Sequence, residues 1–402
     1  MSDHAYPEKQ VCITGAGQSA VGRPSLRSPL HLTMDACEAA IADAGLKLSD
    51  IDGLTTYPGP VGDGSGFSPV GATELMFALG LQPAWVGAST EGHAHMSAIF
   101  SAIQAIASGM CRHVLVFRTV AEASARAAAR AAAPTDAPPS RPSRATRGNM
   151  WTAPFNALSP VNIYALYAQA YLAKYGATSA QLGAIAVNAR QMASRNPNAI
   201  YRTPISIDDY LQSRLISSPL RVYDCDTHID GSTALLLSRR DIAMDRAAEM
   251  GRLPIEIEAM GMSLGGFGIG LHQGDFTRLP ADGAAAMLWS RTDLKPGDVD
   301  VAQIYDGFSI LTLLWMESLG LCGRGEAAAF VEGGSRIGLD GLLPLNTSGG
   351  QLSAGRFHGY GHSYEACQQL WGRAGARQVK DASLCLVANG GYGYGALLLR
   401  RG

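Results

Sequence analysis

Apolar positions along the chain fall into blocks that read helix, turn, strand. Residues 36–45 (ACEAAIADAG) carry alanine and isoleucine at helical spacing, and Gly53-Leu54-Thr55-Thr56-Tyr57 then reads as a short buried strand. Residues 97–117 (SAIFSAIQAIASGMCRHVLVF) predict a helix, a glycine stop and a continuous apolar strand. The same order returns near the C-terminus. Residues 283–293 (GAAAMLWSRTD) read as a helix, Val301-Ala302-Gln303-Ile304-Tyr305 as a strand, and 364–388 as a second helix–turn–strand block. Between the two sets, 163–176 and 179–195 show further helical patterns, and Gly231–Leu237 is strand-like.

The blocks are one unit used twice. Leu46-Lys-Leu-Ser-Asp-Ile-Asp52 and Leu294-Lys-Pro-Gly-Asp-Val-Asp300 match, and the spacing from Tyr57 to Tyr305 equals that from Leu46 to Leu294. Recurrence of an ordinary βα unit is the alternative, and the shared register argues against it. Continuous apolar strands between helices imply parallel-type sheets covered by helices, a pseudo-symmetric layered α/β protein. The expected organisation is an N-terminal half over 1–120 plus about 238–250, an insertion over 121–237, and a C-terminal half over 251–402.

Composition narrows the class. In 402 residues, 47% are hydrophobic and 16% charged, which favours a deeply buried core. A net charge of −2 gives no field for nucleic acid, and no run of about 18 apolar residues predicts a membrane span. The N-terminus lacks a signal-like apolar stretch, and the seven scattered cysteines include no CxxC pair. A cytoplasmic protein without a metal site is expected. The insertion opens on an Ala-, Arg- and Pro-rich tract holding Arg126, Arg130, Arg141, Arg144 and Arg147 against Asp136. It reads as a mobile surface loop or as a basic flap over a phosphorylated ligand.

Several local motifs then carry a resemblance. Asp224-Cys225 followed by Asp230-Gly231, the block Gln303-Ile304-Tyr305-Asp306-Gly307-Phe308, the run Asn346-Thr347-Ser348-Gly349-Gly350 and the terminal Ala388-Asn389-Gly390-Gly391-Tyr392-Gly393 occur in the order and spacing of thiolases. The chain, from Val11 to Leu399, resembles the sterol-carrier and lipid-transfer-protein branch of the thiolase superfamily. That resemblance implies the thiolase fold, two layered βαβ halves with a helical loop-domain insertion. The departures are chemical. Where thiolases carry a nucleophilic cysteine at a helix start, this chain reads Gly87-Ala88-Ser89-Thr90-Glu91-Gly92-His93, and Ala388 and Asn389 stand near the position of the second cysteine. Serine is a far weaker nucleophile than a thiolate.

The pattern is most similar to retro-aldolases of steroid side-chain degradation, which lack the cysteine. The resemblance implies cleavage of a β-hydroxyacyl-CoA to a short acyl-CoA and a ketone or aldehyde, with coenzyme A entering only as part of the substrate. It implies a homodimer and a small OB-fold, zinc-ribbon partner. Tyr305 would be an acid/base, with a phenol pKa depressed by Arg356, His358 or His362. A second family tyrosine lines up with Arg356, and Tyr360 or Tyr364 would substitute for it. His358 would be an oxyanion donor or proton carrier, and Arg356, Ser89, Gly390 and Gly391 would line the acyl-CoA site. From the residues alone, Tyr305 also reads as a strand-end tyrosine with a satisfied hydroxyl, and His93 and His95 as helix-capping groups. A thiolase-type acyltransferase and a non-catalytic acyl-CoA-binding subunit are the rival functions.

Overall fold

A computed structural model describes residues 6–88, 94–132, 149–264, 274–391 and 393–402. Ser89, Glu91, His93, Tyr392 and the segment from Ala133 to Gly148, including Asp136 and three of the arginines, lie outside the described residues.

Nine strands form one mixed sheet. The first half supplies β1 (Val11–Gln18), β2 (Gly53–Thr56), β3 (Trp85–Ala88) and β4 (His113–Ala121). A minor hairpin of β5 (Leu215–Ser217) and β6 (Leu220–Arg221) follows, and β7 (Asp230–Arg239) returns to the main sheet between β4 and β1. The second half supplies β8 (Ile255–Leu264), β9 (Val301–Ile304), β10 (Leu384–Asn389) and β11 (Gly393–Arg401). The order is β3-β2-β4-β7-β1-β8-β11-β10-β9. Among the named strands, β2/β3, β2/β4 and β9/β10 pair in parallel, whereas β7 and β11 run antiparallel to their neighbours. The expected parallel-type sheets are thus corrected to mixed ones. A strand that follows its neighbour through a tight turn, as β11 follows β10, has no crossover to reverse it.

The repeat survives at the level of single hydrogen bonds. Leu48–Asp50 and Pro296–Asp298 form matching 3₁₀ turns. The next aspartate of each motif ties two strands together. Asp52 accepts from the amides of Arg112 (2.9 Å) and His113 (2.7 Å) at the start of β4. Asp300 accepts from those of Ser383 (2.8 Å) and Leu384 (2.9 Å) at the start of β10.

Helices α1 (Pro29–Asp43) and α2 (Ala72–Leu79) cover the outer face of the first half. Ser28 caps α1 by accepting from His31 N, with Pro29 in the first turn. The insertion helices Pro160–Tyr175 and Ser179–Ala193 share a core with Ser309–Ser318 of the second half. Helix α3 (Ser97–Ala107) and helix Tyr360–Leu370 are buried in one cluster with strands of both halves, a middle layer that each half contributes to. Helix α4 (Glu122–Ala132) begins directly after β4. Its Ala-Arg composition, read as the opening of a loop, favours a helix.

Candidate active site

A cavity of about 1340 Å³ lies between the strand ends of both halves and the insertion. Its polar lining includes Tyr57, His95, Glu122, Asp226, Tyr305 and His358, and Arg356 stands among them. Phe67, Tyr164, Phe308 and Leu352 supply apolar surface.

Tyr305 follows β9, and its amide donates to Ala388 O (2.9 Å), so the ladder carries it to the cavity edge. Gly307 makes room for it. A Cβ there would stand 2.9–3.0 Å from the ring and hydroxyl of Tyr305, closer than a side chain tolerates. Burial pushes the Tyr305 phenol well above its ordinary value; Asp226 adds to the rise, and Arg356 and Gln351 counter it only in part. The expected depression is therefore overturned. The pull of Arg356 on the phenol is outweighed by burial, and its guanidinium is also paired with two acids: Nε donates to Glu122 (3.0 Å) and Nη1 to Asp226 (3.2 Å). Tyr305 rests as a neutral phenol.

His358 adopts a left-handed backbone (φ 52°) just before Gly359 (φ 86°). A Cβ on Gly359 would overlap the Asn389 amide at 1.4 Å, so the glycine lets Asn389 lie against the backbone and donate to His358 O (3.0 Å). Burial, with Arg118 and Arg356 nearby, holds the His358 imidazole well below its ordinary value, hence neutral. His95 is treated the same way and falls to about 3. Its ring contacts those of Tyr305 (5.2 Å between centroids), His358 (5.4 Å) and Tyr57 (5.7 Å). Asp226, by contrast, is pushed up to about 6, by burial against the pull of Arg356.

Other expected residues stand elsewhere. Tyr360 is buried and does not line the cavity, its hydroxyl without a hydrogen-bond partner. Tyr364 and His362 border a different, small cavity, with His362 Nε2 3.1 Å from Asp306. Neither tyrosine is among the residues lining the main cavity. Gly391 lines the main cavity, but its carbonyl accepts from Tyr164 (3.1 Å), and that of Gly390 from Trp315 (3.2 Å). Ser89 falls outside the described residues. Among the described residues, no three His, Cys, Asp or Glu side chains converge to hold a metal ion, and no helix is long and apolar enough to cross a membrane.

Sequence reasoning missed Glu122, Asp226 and Arg118 and undervalued His95. The acids could have been suspected from Arg356 itself, since an arginine expected inside a buried site needs counter-charges.

Fold and site together define a thiolase-fold protein whose cavity holds phenol, imidazole and carboxylate. The family model "Thiolase C-terminal domain-like" matches residues 271–397. The 17-hydroxy-3-oxo-4-pregnene-20-carboxyl-CoA lyase of Mycobacterium tuberculosis is 32% identical over 90% of this chain and 92% of its own. A steroid side-chain-cleaving aldolase of Thermomonospora curvata is 32% identical over 94% and 95%. An acetyl-CoA acetyltransferase of Methanothermobacter thermautotrophicus is 31% identical over 96% and 97%. Among solved structures, the Ltp2-ChsH2(DUF35) aldolase superposes with a TM-score of 0.83 at 29% identity, covering 98% of this chain and 99% of that one. The chain belongs to the thiolase superfamily, in the lipid-transfer-protein-like branch that contains these steroid side-chain aldolases.

Proposed function

We propose that this chain cleaves a β-hydroxyacyl-CoA by a retro-aldol reaction. The observation that carries the reading is the make-up of the cavity wall. Its one cysteine among the described lining residues, Cys225, has a thiol pushed up to about 12 by burial, so it is a poor nucleophile, while proton donors and acceptors abound.

In the proposed step the Asp226 carboxylate takes the proton of the β-hydroxyl. The bond between the α and β carbons breaks, its electron pair passes into the thioester as an enolate, and the β-carbon becomes a ketone. The neutral Tyr305 phenol then gives its proton to the α carbon, and the proton held on Asp226 returns to the phenolate. The products are a ketone and a shortened acyl-CoA, with no water or oxidant consumed. A carboxyl group near pH 6 suits proton abstraction at neutral pH, and a phenol suits donation. Arg23, Arg126, Arg190 and Arg214 along the cavity suit the phosphates of coenzyme A, and its volume suits a bulky, steroid-like fragment.

A homodimer, and a small OB-fold, zinc-ribbon partner, complete the reading. The similarity to the Ltp2-ChsH2(DUF35) aldolase supports the partner.

The test is ketone release from a synthetic β-hydroxyacyl-CoA, with the candidate partner co-expressed. Tyr305→Phe should lose roughly 10²–10⁴ in kcat, the usual weight of a positioned acid. Unchanged turnover in that variant, or an acylated protein seen by intact mass, would discard the reading in favour of an acyltransferase.

A further inference from the structure

Two neighbouring imidazoles face the cavity, and the hydrogen bonds around them assign each a tautomer. Asn389 Nδ2 donates to the carbonyl of His358, which can only accept, so Asn389 Oδ1 is the atom 3.1 Å from His95 Nδ1. His95 therefore carries its proton on Nδ1, and its Nε2 is a lone pair. At His358 the logic runs the other way. Arg118 Nη2 lies 2.8 Å from His358 Nδ1, and a guanidinium has only donors to offer. His358 Nδ1 must accept, so its proton sits on Nε2. That nitrogen has no hydrogen bond among the described residues; its nearest acid, Glu122, stands 3.9 Å away.

Arg118 itself is unusual. It is fully buried on β4 and, among the described residues, touches no carboxylate and leaves Nε and Nη1 without hydrogen-bond partners. Its other contacts are the carbonyl of Phe67 (2.6 Å) and the face of the Phe67 ring (4.7 Å from the centroid). A buried cation with orphaned donors is costly, and a structural arginine would be matched by an acid. A negative charge that develops only during reaction would offset the cost. An enolate oxygen beyond His358 is such a charge.

Resting on the retro-aldolase reading for its substrate, we propose that Arg118 is a positioning residue: it fixes His358 as the Nε2–H tautomer, whose N–H donates to the thioester oxygen as the enolate forms. Of the two rings only His358 offers an N–H to the cavity. The charge of Arg118 behind the ring sharpens that donor and opposes protonation at Nδ1. Arg356, His95 and His228 face the same ring and also disfavour imidazolium, while Glu122 favours it.

The tautomer can be read without any turnover, by long-range proton–nitrogen correlation NMR on the ¹⁵N-labelled full chain, with His358→Gln used to assign the signal. The wild type should show His358 protonated on Nε2 and neutral from pH 7.5 to 5. In Arg118→Met the same ring should lose its fixed Nε2–H form and populate both tautomers. Arg118→Lys, which keeps a charged donor, should retain the Nε2–H form and serves if the methionine variant does not fold. A wild-type His358 protonated on Nδ1, or a ring that ignores Arg118→Met, overturns the proposal. With substrate, Arg118→Met should lower kcat by about 10²-fold with KM little changed, as loss of an oxyanion donor does. If the wild type cleaves no β-hydroxyacyl-CoA, the functional reading fails while the tautomer result stands on its own.

Discussion

Tyr57 and Tyr305 close corresponding strands of the two halves, and a single imidazole, His95, makes ring contacts with both. Each half thus contributes one strand-end tyrosine to the cavity wall. Their environments differ. Tyr305 feels Asp226 and Arg356, whereas burial raises the Tyr57 phenol and Arg118 lowers it. Of the two phenols, Tyr305 is the one whose pKa a neighbouring carboxylate, Asp226, helps to raise.

Asp226 sets the acid limb of the pH profile. It must be ionised to abstract a proton, so kcat/KM should fall tenfold per unit below about 6. Asp226→Asn should lower activity by about 10²-fold or more and flatten the profile through that region. Initial rates from pH 5 to 8 check this.

Arg356 is the shared cation of two buried acids. Arg356→Met leaves Glu122 and Asp226 unpaired and should cost about 3–5 kcal/mol of stability. Adding Glu122→Gln and Asp226→Asn to that variant should recover most of the loss, because the charges that needed pairing are gone. Urea denaturation of the set measures it.

Protonation of His95 opposes the native state. Its folded pKa is depressed to about 3 by burial, so the stability it contributes is present above about 6.5 and lost as pH falls below that value. Asp226 acts in the opposite sense. Its raised pKa makes its contribution present below 3.8 and lost as pH rises through about 6. From pH 7.5 to 5, His95→Gln should therefore soften the acid loss of stability, and Asp226→Asn should steepen it. Denaturation midpoints at the two pH values decide the matter.

Asp52 and Asp300 perform one structural task twice. Asp52→Ala and Asp300→Ala each strip acceptors from two backbone amides and should each cost about 1–3 kcal/mol. Both can be followed by thermal unfolding, with activity retained at temperatures where the variants remain folded.

The sequence by itself determined the duplicated unit, the register of the two halves and the strand-end place of Tyr305. Those features are local: alanine-rich helices, short apolar strands and the Asp-x-Asp motif are written in consecutive residues. It also exposed the loss of the thiolase cysteines, which is a matter of identity at a position. The tertiary structure alone decided the chemistry of the site. Glu122 follows β4, Asp226 ends the insertion and Arg356 precedes Gly359, and only folding brings them into one buried cluster. Protonation states followed from the same packing. A phenol's pKa and an imidazole's tautomer depend on burial and on partners far away in the chain, such as Asn389 for His95 and Arg118 for His358. No local pattern encodes those, because electrostatic and hydrogen-bond energies follow distance in space and not distance along the backbone.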